Sequence, residues 1–150
     1  MKKLDDLINK LKRIESGVLE VVINTVKEYD YIILDMNTES QLFQKGIDRK
    51  GRSLASVSGG YSPITVEIKM FKHQPTDRVT LKDEGDFHRS FYIEYLTDGF
   101  VIKASDWKTD ILKKNWGPDI LGLTQENINE FMRDYVTPAV KEYFDKDVRL

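Results

Sequence analysis

Leu4, Leu7, Ile8, Leu11, Ile14, Val18, Val21, Val22, Val26, Tyr29, Ile32 and Ile33 recur at steps of three and four residues, the spacing of one helical face. A stripe of that length predicts a helix over residues 1–36, about 50 Å long at 1.5 Å per residue. Ser16 and Gly17 lie in its interior, and an interior glycine costs about 1 kcal/mol against alanine. The segment therefore reads either as one rod or as two helices meeting at Gly17. A second apolar face starts after Thr124 with Ile128, Phe131, Met132, Tyr135, Val136, Val140, Tyr143 and Phe144, where Pro138 is expected to kink the helix.

The middle of the chain has a different grammar. Thr38 as N-cap, Gln41 three residues later and Gly46 as a stop predict a short helix. The following "IDRKGRSLASVSGGY" reads as a flexible basic loop over 47–61. "SPITVEIKMFKH" alternates like a strand, but Ser62 and Pro63 look like an N-cap and a first helical residue, which favours helix. Two β-rich runs around "TDG" predict a hairpin over 91–104, with Asp98 and Gly99 free to take positive φ. Ser105 is the expected cap of the next helix, and "GPDILG" separates the helices of a helical part over 106–146. The expected fold class is α+β: a long N-terminal amphipathic helix, a small antiparallel sheet with a central β-hairpin, and two C-terminal helices. A chain of this length fits a single domain, 1–150.

The chain has no cysteine, which excludes disulfides, thiolate metal sites and cysteine nucleophiles. Charges interrupt the apolar positions of the N-terminus, so neither a secretory segment nor a membrane span is expected, and synthesis in the cytoplasm follows. His73 and His88 lack the spacing of a helical zinc motif, and no metal or cofactor is expected. "GIDRKG" lacks the features of a phosphate-binding loop. "TLKDEGDFHRS" gathers Asp83, Glu84, Asp86, His88 and Ser90 around Gly85. A hydrolase built on Asp83, Asp86 and His88 is conceivable, yet catalytic groups converge from separate elements, and these are consecutive. The stretch reads better as a turn: Gly85 frees the backbone, Asp86 caps a helical turn, and Phe87 with Phe91 faces the core. Trp107 and Trp116 read as core or interface anchors rather than a stacking platform.

Charge is uneven along the chain, with a basic middle and acidic flanks. Lys45, Arg49, Lys50, Arg52, Lys69 and Lys72 are candidate contacts to DNA or to a neighbouring subunit. One function consistent with them is a small nucleic-acid-binding module using residues 45–82.

"LKDEGDFHRSF", followed by a hairpin, resembles a pattern in bacteriophage virion-morphogenesis and tail-completion proteins, the head-tail connector or neck class. Leu81, Gly85, Phe87 and Ser90 fall on it, with Glu84 where the pattern has threonine. Tyr61, Thr65 and Lys69 match an upstream helix of that family, and Gly117, Pro118, Gly122 and Leu123 match a segment before its last helix. The resemblance covers residues 40–140 in order. It implies a non-enzymatic virion component at the head-tail junction or tail end, without catalytic residues. Its implied partners are connector, portal-side or tail proteins and further copies of itself in a ring, with non-specific contact to packaged DNA.

Overall fold

The computed structural model describes residues 1–148. The chain divides into two compact units: Met1–Asp30 with the described chain from Asn129 onward, and Tyr31–Ile128. Its elements are those of an α+β protein, with a long N-terminal helix, a two-stranded antiparallel sheet and C-terminal helices.

In the first unit, α1 (Lys2–Glu28) runs unbroken through Gly17. The glycine serves close approach, because a Cβ there would lie 2.0 Å from the Tyr143 hydroxyl oxygen. Tyr143 belongs to α8 (Thr137–Lys146), which follows a π-helical segment, Met132–Val136. Pro138 stands inside a continuous helical run from Gln125 to Lys146, where it has no N–H to offer the preceding turn, and the wider π turn lies immediately before it. Val26, Phe131 and Val136 are buried, and the Tyr135 ring lies 4.6 Å from Tyr29 and 5.1 Å from Phe131. The helix expected to reach residue 36 ends at Glu28, because Tyr29 leaves helical geometry at φ −113°.

Helix α2 (Asp30–Asp35) leads into the second unit and continues as a π-helix, Met36–Lys45. Thr38 is therefore no N-cap: it lies inside the helical run, and its hydroxyl donates to the Leu34 carbonyl at 2.9 Å. Gly46 does end the run, in left-handed geometry at φ 61°. Next come α3 (Leu54–Ser58) and α4 (Pro63–Phe71), where the Ser62 hydroxyl accepts the Thr65 N–H as predicted. A single helical turn, α5 (Asp86–Arg89), precedes β1 (Phe91–Tyr95) and β2 (Phe100–Ala104). The strands pair antiparallel from Phe91 opposite Ala104 to Tyr95 opposite Phe100.

Two local expectations are corrected here. Neither Asp98 nor Gly99 has positive φ: the Leu96 N–H donates to the Gly99 carbonyl at 2.8 Å, so Gly99 closes the turn as a paired residue instead of sitting at its centre. Ser105 does not cap the next helix: its hydroxyl points to the Ser90 carbonyl, and α6 (Thr109–Trp116) starts later, after Asp106 accepts the Lys108 N–H at 2.8 Å. A 3-10 turn, Pro118–Ile120, and the opening residues of α7 (Gln125–Phe131), up to Ile128, complete the unit, with the Thr124 hydroxyl accepting the Asn127 N–H. Leu42, Leu54, Val79, Phe87, Phe91 and Ile120 form the core, and Trp116 packs against it. Trp107 is 80 % exposed and anchors no core.

Candidate functional site

The segment read as a flexible basic loop is ordered by two acids. Asp48, fully buried, accepts the N–H groups of Lys50 and Arg52 at 2.9 and 3.0 Å and the Arg52 Nε–H at 2.9 Å. Its backbone N–H reaches the Arg52 carbonyl, and Ile47 bridges Ser53. Asp119, from the 3-10 turn, receives Arg49 at 2.7 Å, Arg52 at 3.0 Å and Lys50 at 3.3 Å. Burial alone would raise the Asp119 carboxyl, but hydrogen bonds from Arg49 and Lys50 outweigh it and hold the group below the usual carboxylate range. Leu54, entering the core directly after this turn, fixes its far end.

The six candidate contact cations are thus all engaged within the chain. Lys45 lies 3.9 Å from Glu126. Lys72 donates to Asp83 at 2.7 Å, which raises the lysine and lowers the acid. Lys69 is buried; its ammonium donates to the Lys82 carbonyl at 3.1 Å and lies 4.8 Å from the centre of the Tyr61 ring. A basic patch held this way offers phosphates less than its sequence promises, because each cation exchanges an existing partner.

The opening of the hairpin is a joint. Gly85 takes φ 90°, Asp86 pairs with Arg89, and Phe87 meets Phe91 edge-on at 4.9 Å, both rings buried. Here Gly85 precedes the turn as its cap and Asp86 stands inside it. His88 does not meet Asp86 or Ser90. Its Nε2 lies 2.9 Å from the Thr80 carbonyl, which only accepts, so the proton is on Nε2. Burial pushes the imidazole down to about 4, leaving it neutral at physiological pH. The Ser90 hydroxyl donates to the Phe87 carbonyl. Consecutive side chains have dispersed to separate tasks, and no acid-base-nucleophile set forms among them.

The residues that carry the family resemblance cluster at two places. Tyr61 and Lys69 meet the segment around Leu81: the Tyr61 hydroxyl accepts the Thr80 N–H at 2.8 Å, and Lys69 holds the Lys82 carbonyl. Between these anchors Leu81 is kept at φ 55°, a conformation a leucine rarely adopts. Thr65 instead closes the α4 cap. Gly117 takes φ 89° and Gly122 φ 128°, with Pro118 opening the turn between them. Leu123 lines a groove beside β2.

Sequence reading missed how the Gly122 segment is held. Asn37 donates to the Ile120 carbonyl at 3.0 Å and accepts the Gly122 N–H at 2.8 Å. Gln41 donates to the Gly122 carbonyl and accepts the Thr124 N–H, both at 2.9 Å, and also accepts from Asn127 at 2.8 Å. Two carboxamides one helical turn apart satisfy this main chain as a neighbouring strand would.

It missed the outward-facing apolar side of α4 as well. Ile64, Ile68 and Phe71, at helical spacing, face outward, and Phe71 is 88 % exposed, while the buried residue of the helix is Lys69. Leu4, Leu7, Ile8 and Leu11 of α1 are also about half exposed. The alternation of "ITVEIKMF" conceals the inversion, because apolar side chains are read inward by default. Among the described residues, no helix is long and apolar enough to cross a membrane. No family model, curated protein or solved structure matches this chain.

Proposed function

We propose that this protein is a structural subunit of a phage virion, assembling with copies of itself as a ring at the head-tail junction or tail end. The observation that carries the reading is the inverted polarity of α4, which buries a lysine and presents Ile64, Ile68 and Phe71 to solvent. Exposed apolar surface in an ordered helix is the mark of a face completed by another chain. Fully covering three such side chains contributes roughly 4–8 kcal/mol, about the size of the cost of association itself. One such face does not hold a pair tightly, whereas a closed ring multiplies contacts. The exposed stretch of the α1 stripe supplies further apolar surface. The order of the motifs that resemble those of tail-completion proteins supports the virion setting, and the internal pairing of the basic segment favours protein contacts over DNA as the main interaction.

Sedimentation velocity over a concentration series tests this, comparing the wild type with Phe71→Asp and Ile68→Asp. The wild type should move to discrete, ring-sized masses as concentration rises, and both variants should remain single chains with unchanged circular dichroism. A wild type that stays monomeric, alone and when mixed with tail or connector proteins of a phage, would overturn the reading. Salt-dependent duplex binding by that monomer would favour the nucleic-acid module.

A further inference from the structure

The outer edge of β2 lies open beside a groove. Two flanking bonds fix which backbone groups face it: Leu96 N–H donates to the Gly99 carbonyl and Ser105 N–H to the Ser90 carbonyl. Bonded and non-bonded pairs alternate along an antiparallel ladder. With the observed register, Tyr92 with Lys103 and Glu94 with Val101 are the bonded pairs. The N–H and C=O groups of Phe100 and Ile102 therefore point away from β1, and no described residue bonds them. Along this edge runs a groove of ≈ 530 Å³ whose far wall includes Leu121, Leu123 and Ile128.

The groove's charge is one-sided. Arg49, Lys103 and Lys113 line it, without an acid among the described lining residues. Arg49 and Lys103 are each committed to a carboxylate and half exposed, whereas Lys113 makes no ion pair among the described residues. The edge from Phe100 to Ala104 spans about 13 Å at 3.3 Å per residue, the length of four or five extended residues.

We propose that this edge captures an extended segment of another polypeptide as an added strand, one that alternates apolar residues with carboxylates. Its backbone pairs with Phe100 and Ile102, its apolar side chains lie on the Leu121 wall, and its acids meet Lys113. The pairing is separate from the α4 face and does not depend on ring assembly.

Fluorescence anisotropy of the full chain tests it, with a labelled, end-blocked eight-residue peptide alternating valine and glutamate. Two further peptides replace the glutamates by lysine or N-methylate alternate amides. The glutamate peptide should bind, the lysine peptide about tenfold more weakly, and the N-methylated one not at all. Lys113→Glu should narrow or reverse that charge preference. Phe100→Pro, which removes an outward N–H and leaves the ladder pairs intact, should abolish binding. Absent binding of the glutamate peptide, equal binding of the N-methylated peptide, or indifference to Lys113→Glu would each overturn the proposal. A wild-type dimer that Phe100→Pro dissociates and the peptide does not would also overturn it, assigning the edge to a second copy.

Discussion

His88 gives the sharpest quantitative test of the second unit. It is kept neutral by burial, with its acid dissociation near 4 rather than 6.5, so between those values the unfolded chain takes up a proton that the folded chain refuses. The folded pKa is depressed for a group that is cationic when protonated, so stability is complete above pH 6.5 and falls as pH drops toward 4. At about 1.4 kcal/mol per tenfold change, the full loss is about 3 kcal/mol, of which about 2 kcal/mol is gone by about pH 5. Urea denaturation of the wild type and His88→Gln at about pH 7 and about pH 5 isolates the effect, because glutamine keeps a donor for the Thr80 carbonyl and does not titrate. The wild type should lose about 2 kcal/mol more than the variant over that interval. The depressed carboxyls of Asp83 and Asp119 protonate at lower pH and are common to both proteins. Parallel pH profiles would refute the reasoning. Should the variant fail to fold, a wild-type imidazole that titrates near 6.5 by NMR would refute it equally.

Asp48→Ala should destabilise the second unit by about 3 kcal/mol, since it strands the Lys50 and Arg52 amides and takes from the Arg52 guanidinium one of its two carboxylate partners; a chemical-denaturation loss below about 1 kcal/mol would mean the turn does not depend on this acid. Gly17→Ala should cost stability despite its helix propensity, because its Cβ meets the Tyr143 hydroxyl at 2.0 Å. Overpacking of about 1–3 kcal/mol exceeds the gain of about 1 kcal/mol, and in a Tyr143→Ala background the same change should become stabilising, as thermal melts will show. Asn37→Ala should cost about 2–4 kcal/mol and speed amide exchange at Gly122, whose N–H it leaves without its acceptor.

The long helix, the α4 cap and the hairpin were legible because periodicity, Ser62–Pro63 and paired β-rich runs are local signals. The end of α1 at Glu28 was not, since the apolar spacing continues through Ile33 while the backbone changes course at Tyr29. The π geometry of Met36–Lys45 has no counterpart in the pattern either. The basic segment was misread for another reason: Asp48 is the acid four residues before Arg52, but Asp119 lies 70 residues from its partner Arg49, a separation over which charge counting is blind. A local clue did exist in "DRKGR", where an Asp three residues before a glycine is a turn signature. The candidate interaction surfaces were hidden for opposite reasons. Inverted polarity in α4 violates the inward rule, and the open edge of β2 is a property of main-chain atoms, on which side-chain identity is silent.

Asn37 and Gln41 grip the Ile120–Thr124 stretch solely through main-chain atoms. Ile120 is fixed by its burial and Gly122 by its φ of 128°, but nothing in the clamp reads the side chains of Leu121 and Leu123. These two form part of the groove wall beside β2. Evolution can therefore rewrite what that wall recognises without renegotiating the backbone that carries it, so relatives of this chain should diverge in partner preference at Leu121 and Leu123 while keeping both carboxamides.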